Sequence, residues 1–441
     1  MKWKNLTRPM LLSAAPLGIL VWMLTTHQES KTKKTITCNN AEANHVCVMK
    51  TVFGLDNDQR TAIDLNVPSS AVDAAVKKGL EWIGKAQGND GGWGAGSHYN
   101  QGVTDPHAVQ SDPATSSLIC MALLRSDNSL EKGDYSSNLK KGTEFLLKAV
   151  ENCPDNQTYL TTLENTQPQV KLGRNIDVIL TAQFFTNLLR YEQNNVDIKK
   201  RIEKALDKCI ARIQKGQDVD GGWKDGGWAP VLQSALANNA LETAQDAGRK
   251  VDTAVLNKSR RYQSGNFDLK TNATMTGKSA GVMLYSLSST TRASAKDAKK
   301  AKDIVEKAKK DGKIKDDKIT EENLRAAGAS VTEAKELITG YSINAASRKE
   351  ALRDDVMNGF GSNGGEEFLS YLMTGESMVM QGGEDWKKWY EMITGKLVNI
   401  QAQDGSWNGH HCITSPVFCT GTCLLILSIH KDMQFSMQLH Q

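Results

Sequence analysis

Three segments of the chain end in nearly the same seven residues, and that recurrence limits the fold more than any other feature. They are Gln87-Gly88-Asn89-Asp90-Gly91-Gly92-Trp93, Gln217-Asp218-Val219-Asp220-Gly221-Gly222-Trp223 and Gln401-Ala402-Gln403-Asp404-Gly405-Ser406-Trp407. Glutamine aligns with glutamine and tryptophan with tryptophan, without a gap. Upstream, Lys78, Ile83 and Lys85 correspond to Lys208, Ile213 and Lys215. Trp93 and Trp223 lie 130 residues apart, and Trp223 and Trp407 lie 184 apart. A unit of about 62 residues divides these spans into two and three steps, so three visible copies predict six units. A degenerate second copy begins where expected, with Lys141-Gly142-Thr143-Glu144-Phe145-Leu146 in the form of Lys78-Gly79-Leu80-Glu81-Trp82-Ile83.

Each unit reads as a helical hairpin. In the first, Ser69 or Ser70 caps a helix carrying Val72, Val76, Leu80, Ile83 and Ala86 at three- and four-residue spacing, and the glycines end it. A polar loop leads to a more apolar helix, Pro113 to Leu124. Apolar helices are predicted again near Ile176 to Leu189, Val231 to Ala244, Ser279 to Leu287, Glu367 to Met380 and Val417 to Ile429. Six buried helices thus alternate with six amphipathic ones. The repeated segment suits a structural clamp: glycine takes the left-handed backbone that closes the helix, the tryptophan folds back over the helix end, and the glutamine amide bonds orphan backbone groups. A lysine- and alanine-rich stretch from Ala293 to Leu324 is long for a connector and reads as an exposed helical insertion at about 292–328.

Composition closes off other classes. With 54 Lys+Arg against 50 Asp+Glu the net charge is only +4, without the localised basic excess of a polyanion binder, so nucleic acid is excluded as a partner. No apolar run of 18 or more follows the N-terminus, which excludes a multi-span membrane protein. Lys2, Lys4 and Arg8 precede a mostly apolar stretch from Met10 to Leu24, the pattern of a secretory signal, with an uncleaved single membrane anchor as the rival. Export is the expectation, either to the periplasm or on a membrane anchor facing the periplasm or the exterior. The chain then divides into a signal or anchor (1–27), a linker (28–67), the helical body (68–432) and a tail (433–441). In an oxidising compartment Cys38 and Cys47 can pair or stay as two thiols in the linker, while Cys120, Cys209 and Cys423 read as small core residues.

The Gln-x-x-Asp-Gly-Gly-Trp segments resemble the glutamine-tryptophan repeats of squalene-hopene and oxidosqualene cyclases, and the wider prenyltransferase and squalene oxidase repeat superfamily. The resemblance spans about Ser69 to Ile429. It implies an all-α fold, an α/α toroid of six inner and six outer helices around a central apolar cavity. The working residues of its branches are broken here. Protonating cyclases carry Asp-x-Asp-Asp; Asp218-Val219-Asp220-Gly221 lacks the last acid, and Asp354-Asp355 also fails the pattern. Thioester domains carry Gly-Cys-Gly-Glu-Gln; Asn363-Gly364-Gly365-Glu366-Glu367 has glycine in place of the cysteine. Protein prenyltransferases hold zinc with Asp, Cys and His. His410, His411, Cys412, Cys419 and Cys423 cluster near the end, but no Asp-x-Cys partner accompanies them, and a Cys412–Cys419 disulfide or core thiols compete with zinc.

Any site should sit where loops meet the N-terminal ends of the inner helices. The candidate catalytic residues there are Asp112, Glu366 and Glu367, with Asp105, His107, Arg174, Asp177 and Asp225 as further polar groups. Asp112 and Glu367 read equally as helix N-terminal residues. No cofactor and no metal is expected. Two functions compete: a toroid that binds an isoprenoid, lipid or glycan ligand, or a protein partner, in its central cavity, and a divergent terpenoid cyclase or prenyltransferase-type enzyme. Aromatic side chains around one buried carboxyl would favour the enzyme; a filled centre would count against it.

Overall fold

The computed structural model describes residues 35–36, 60–61, 70–190, 195–225 and 227–430. The signal or anchor segment, Cys38, Cys47, Ser69 and the tail from residue 431 lie outside the described residues. Apart from two short antiparallel pairs, β1 (Thr35–Ile36) with β2 (Arg60–Thr61) and β3 (Phe267–Asp268) with β4 (Ala273–Thr274), the described elements are helices, so the chain is all-α. No helix among the described residues is long and apolar enough to cross a membrane.

Six helices form the inner wall: α2 (Pro113–Arg125), α5 (Ile176–Leu189), α7 (Pro230–Asp246), α9 (Met283–Lys310), α13 (Gly365–Gln381) and α15 (Pro416–Leu427). Each packs on the next, and α15 returns to α2, so the ring closes. Their burial explains the sequence pattern: α5 and α15 are buried at every residue, which leaves no polar face. The outer layer is α1 (Ser70–Lys85), α3 (Ser136–Asn152), α6 (Val196–Lys215), α8 (Thr253–Ser264), α11 (Val331–Glu350) and α14 (Gly383–Ile400), with one buried stripe on each. Short helices α4 (Gln167–Leu172), α10 (Glu321–Ala326) and α12 (Asp354–Met357) lie in the connections.

The clamp works as its residue types predict and also reaches further. Gly91, Gly221 and Gly405 have φ of 88°, 93° and 96°. Trp93, Trp223 and Trp407 donate their indole N–H to the carbonyls of Ile83, Ile213 and Leu397 at 3.0, 2.7 and 2.8 Å. Each glutamine amide bonds its own glycine carbonyl, and then a second carbonyl in the next outer helix: Gln87 to Asn138, Gln217 to Val255 and Gln401 to Ala75, all at 2.9 Å. The motif is therefore a joint between units as well as a cap. Close approach fixes its glycines: a Cβ on Gly91, Gly221 or Gly405 would stand 2.8, 2.3 or 2.6 Å from the carbonyl oxygen of Lys141, Lys258 or Lys78.

One helix departs from the expected pattern. The fourth inner helix, expected to end near Leu287, runs unbroken to Lys310 through the lysine-rich stretch. The lysines face outward, but Ala301, Val305 and Ala308 face inward and form a second small core with Ile314, Leu324, Ala334 and Leu337. The stretch is thus half-buried rather than exposed throughout, because alanines at helical spacing supply an apolar stripe that the charge count conceals.

Candidate functional site

The connections from outer to inner helices gather at one end of the ring and bond to one another. His410 N–H donates to Asn363 O at 2.6 Å and Gly365 N–H to Ile413 O at 2.9 Å, so the turn before α13 runs beside the loop before α15. Gln101 donates to Cys412 O at 2.9 Å, and Gln167 Oε1 accepts from Thr414 and Ser415 N–H at 2.7 and 3.1 Å. Three other connections thereby hold residues 410–415 over the start of α13.

Glu366 and Glu367 lie under that cover, both 0% exposed. Glu367 reaches back to Gly364 N–H at 2.9 Å, half of a capping box, and accepts the Tyr285 hydroxyl at 2.6 Å; His411 Nε2 is 3.7 Å away. Glu366 accepts from Ile413 N–H at 3.2 Å and has Cys412 beside it, while its Oε1 has no protein partner. Burial, then the adjacent Glu367, pushes its carboxyl up to about 7. Burial and the same Glu366 push the Cys412 thiol up to about 12. Near neutrality Glu366 is divided between its two protonation states, and the thiol beside it stays protonated.

Aromatic rings stand over these acids. Trp228 stacks on Phe360 with ring centres 5.6 Å apart, Tyr285 meets Trp228 edge-on at 6.4 Å, and His411 meets Phe360 at 5.5 Å. The Lys171 ammonium lies 5.3 Å from the Trp228 ring centre. Trp228 is 40% exposed and Phe360 50%, so the stack opens to solvent. The sequence reading missed Trp228, Phe360, Tyr285 and Lys171. A signal existed for the first: Asp225-Gly226-Gly227-Trp228 repeats Asp220-Gly221-Gly222-Trp223 at once, too close to be a second clamp.

Asp112 belongs elsewhere. Its carboxylate accepts from Thr115 N–H at 2.8 Å, Thr115 Oγ1 at 2.9 Å and Ala95 N–H at 2.9 Å, capping α2 and fixing the chain after Trp93. Those bonds satisfy its buried oxygens, which gives it a structural task. Asp177 likewise accepts from Leu160, Thr161 and Val178 N–H, and burial pushes it up to about 7. Arg174 covers Tyr159, with its guanidinium carbon 4.8 Å from the ring centre. Asp105 caps a short turn through His107 N–H. Arg174 N–H takes the Asp225 carbonyl at 2.9 Å, a backbone contact. Cys412 and Cys419 are free thiols, not a disulfide, and no three His, Cys, Asp or Glu side chains gather as metal ligands among the described residues.

The centre of the ring is filled. Arg125 and Arg292 both bind Glu376, at 2.6 Å each, and Arg292 also donates to Asn239 at 2.8 Å. Burial alone would raise the Glu376 carboxyl, but the two guanidiniums bring it below its usual value. The cavity at this level measures about 20 Å³, room for one water.

No family model and no curated protein matches the chain. Two structures of a type II terpene cyclase from Scytonema are similar to it in part. The one with the product merosterolic acid A bound is 10% identical, with a TM-score of 0.35, covering 82% of this chain and 98% of that one. The other, without ligand, is 10% identical with a TM-score of 0.34 and the same coverage.

Proposed function

We propose that this chain is an exported toroid that works by binding rather than by catalysis, and that a protein docks on the loop end of its ring. The observation that carries this reading is where the exposed apolar side chains lie. Tyr99, Val219, Trp228, Leu269, Met275 and Phe360 all stand in outer-to-inner connections at one end, whereas Val196 and Val331 are the exposed large apolar residues at the other end among the described residues. Apolar residues spread over four connections suit a partner surface better than a small ligand. The filled hub supports the same reading, because about 20 Å³ holds no isoprenoid, which needs a cavity of several hundred Å³. The binding face therefore moves from the centre of the ring, where the sequence put it, to its mouth.

The divergent enzyme is the second reading, and one specific observation favours it. Glu366 is a buried carboxyl titrating near neutrality beside the rings of Tyr285, Trp228 and Phe360, the type of environment that stabilises positive charge. Photo-crosslinking in the producing cells separates the readings. A benzophenone side chain at position 360 should give a discrete protein adduct, while the same group at position 331 gives none. Absence of an adduct at 360, with an isoprenoid recovered by mass spectrometry of the purified protein, would replace the binding reading with the enzymatic one.

A further inference from the structure

The ring opens a second cleft where it departs from its own repeat. α8 has 12 residues, while the other five outer helices have 16 to 20. Gly265 ends it, with its N–H turned back to Arg261 O and Gln263 O. Alongside α8, up to that early stop, α7, α8, α9 and α11 line an open cleft of about 490 Å³, within the range of small-molecule sites.

Its wall holds polar groups that the protein leaves unused. Asn238 and Gln263 are 2% and 3% exposed, yet Asn238 Oδ1 and Gln263 Nε2 have no partner. An acceptor and a donor left this way are costly unless something else meets them. Asp297 lines the same cavity without a hydrogen bond or ion pair among the described residues; Arg260, Lys300 and Lys296 act on it only through space, and each contacts another acid. Lys300 binds Glu333 at 2.7 Å, Arg260 binds Glu242 at 2.9 Å, and Lys296 binds Asp246. Burial, then the charge of Glu242, pushes the Asp297 carboxyl up to about 6, so it is an anion at pH 7.5. Exposed Arg261 and Lys335, which join no ion pair among the described residues, line it too, as does exposed Glu336.

We propose that this cleft binds a zwitterionic primary ammonium compound of amino-acid size. Asp297 and Asn238 Oδ1 take the ammonium group; Gln263 Nε2, with Arg261 and Lys335, takes the carboxylate. The two buried unpartnered atoms call for both ends: an oxygen acceptor in the cleft with the Asp297 carboxylate suits an ammonium group, and an amide donor in the cleft with two cationic side chains suits a carboxylate. The site is independent of the mouth, so failure there leaves it untouched.

Isothermal titration of the purified protein at pH 7.5 tests this with L-serine and L-lysine, and with their decarboxylated counterparts ethanolamine and cadaverine. At least one amino acid should bind saturably, and its amine at least about tenfold more weakly. Asp297→Asn should weaken binding by about tenfold or more while the circular dichroism melting curve keeps its shape. Thr339→Trp, which fills the cleft from α11, should abolish binding. No saturable heat from any of the four probes, or an unchanged affinity in either variant, would overturn the proposal.

Discussion

Glu366 couples the candidate site to pH. In the unfolded chain its carboxyl ionises near its ordinary value of 4.5, and in the folded chain near 7. Between those values the folded state holds the extra proton, so this contribution to stability is complete below about 4.5 and is lost as pH rises through about 7. The loss is on the order of 3 kcal/mol. Glu366→Gln should flatten the fall in melting temperature between pH 5 and 8; Asp177, raised from 3.8 to about 7, leaves a residual slope. A profile unchanged from the parent protein would mean that Glu366 is solvated and not held neutral. Sequence pointed to Glu366 and Glu367 from their place at a helix start. It could not reveal that the Glu366 carboxyl is pushed up, because the cover comes from residues 410–413, whose backbone meets the carboxyl only after the ring closes.

At the scale of the helix, glycine does opposite things at two places. In α3, a Cβ on Gly142 would lie 2.7 Å from the Trp93 ring and 2.6 Å from Cys120 Sγ. Gly142→Ala should therefore cost about 1–3 kcal/mol by urea unfolding. In α14, a Cβ on Gly395 would meet nothing within 4 Å, so Gly395→Ala should add about 0.5–1 kcal/mol through the chain entropy that glycine gives the unfolded state. The Lys-Gly pairs at Lys78-Gly79 and Lys141-Gly142 were visible as repeats. Their reason was not, since the tryptophan that demands each glycine belongs to the previous unit, Trp407 for Gly79 and Trp93 for Gly142. Inner helices were legible to within a few residues where apolar side chains fill every face. The fourth escaped because its second half buries alanine, which carries little hydropathy signal.

Across the whole molecule, the hub is the feature that sequence kept hidden. Arg125, Arg292 and Glu376 come from three helices, at no spacing a repeat would mark, and only the closed ring places two guanidiniums on one carboxylate. Glu376→Gln removes the acid between two buried bases and should cost about 3–5 kcal/mol in chemical denaturation; a loss under 1 kcal/mol would mean that the centre is wetter than its packing indicates. The toroid, the clamps and the place of the mouth were legible from period and residue type. The filled centre was not, because long-range polar contacts leave no periodic trace. One further property follows from the last joint, where Gln401 donates to Ala75 O and Trp407 packs on Gly79. A row of repeats unravels from its two free ends, one unit after another. A row whose final unit grips its first has no end to unravel from, and opening it anywhere forfeits two joints together. Tryptophan fluorescence and helical circular dichroism should then be lost in one coincident denaturant transition. Gln401→Ala removes one bond of that closure and leaves its packing in place, so it should lower the midpoint while the transition stays single.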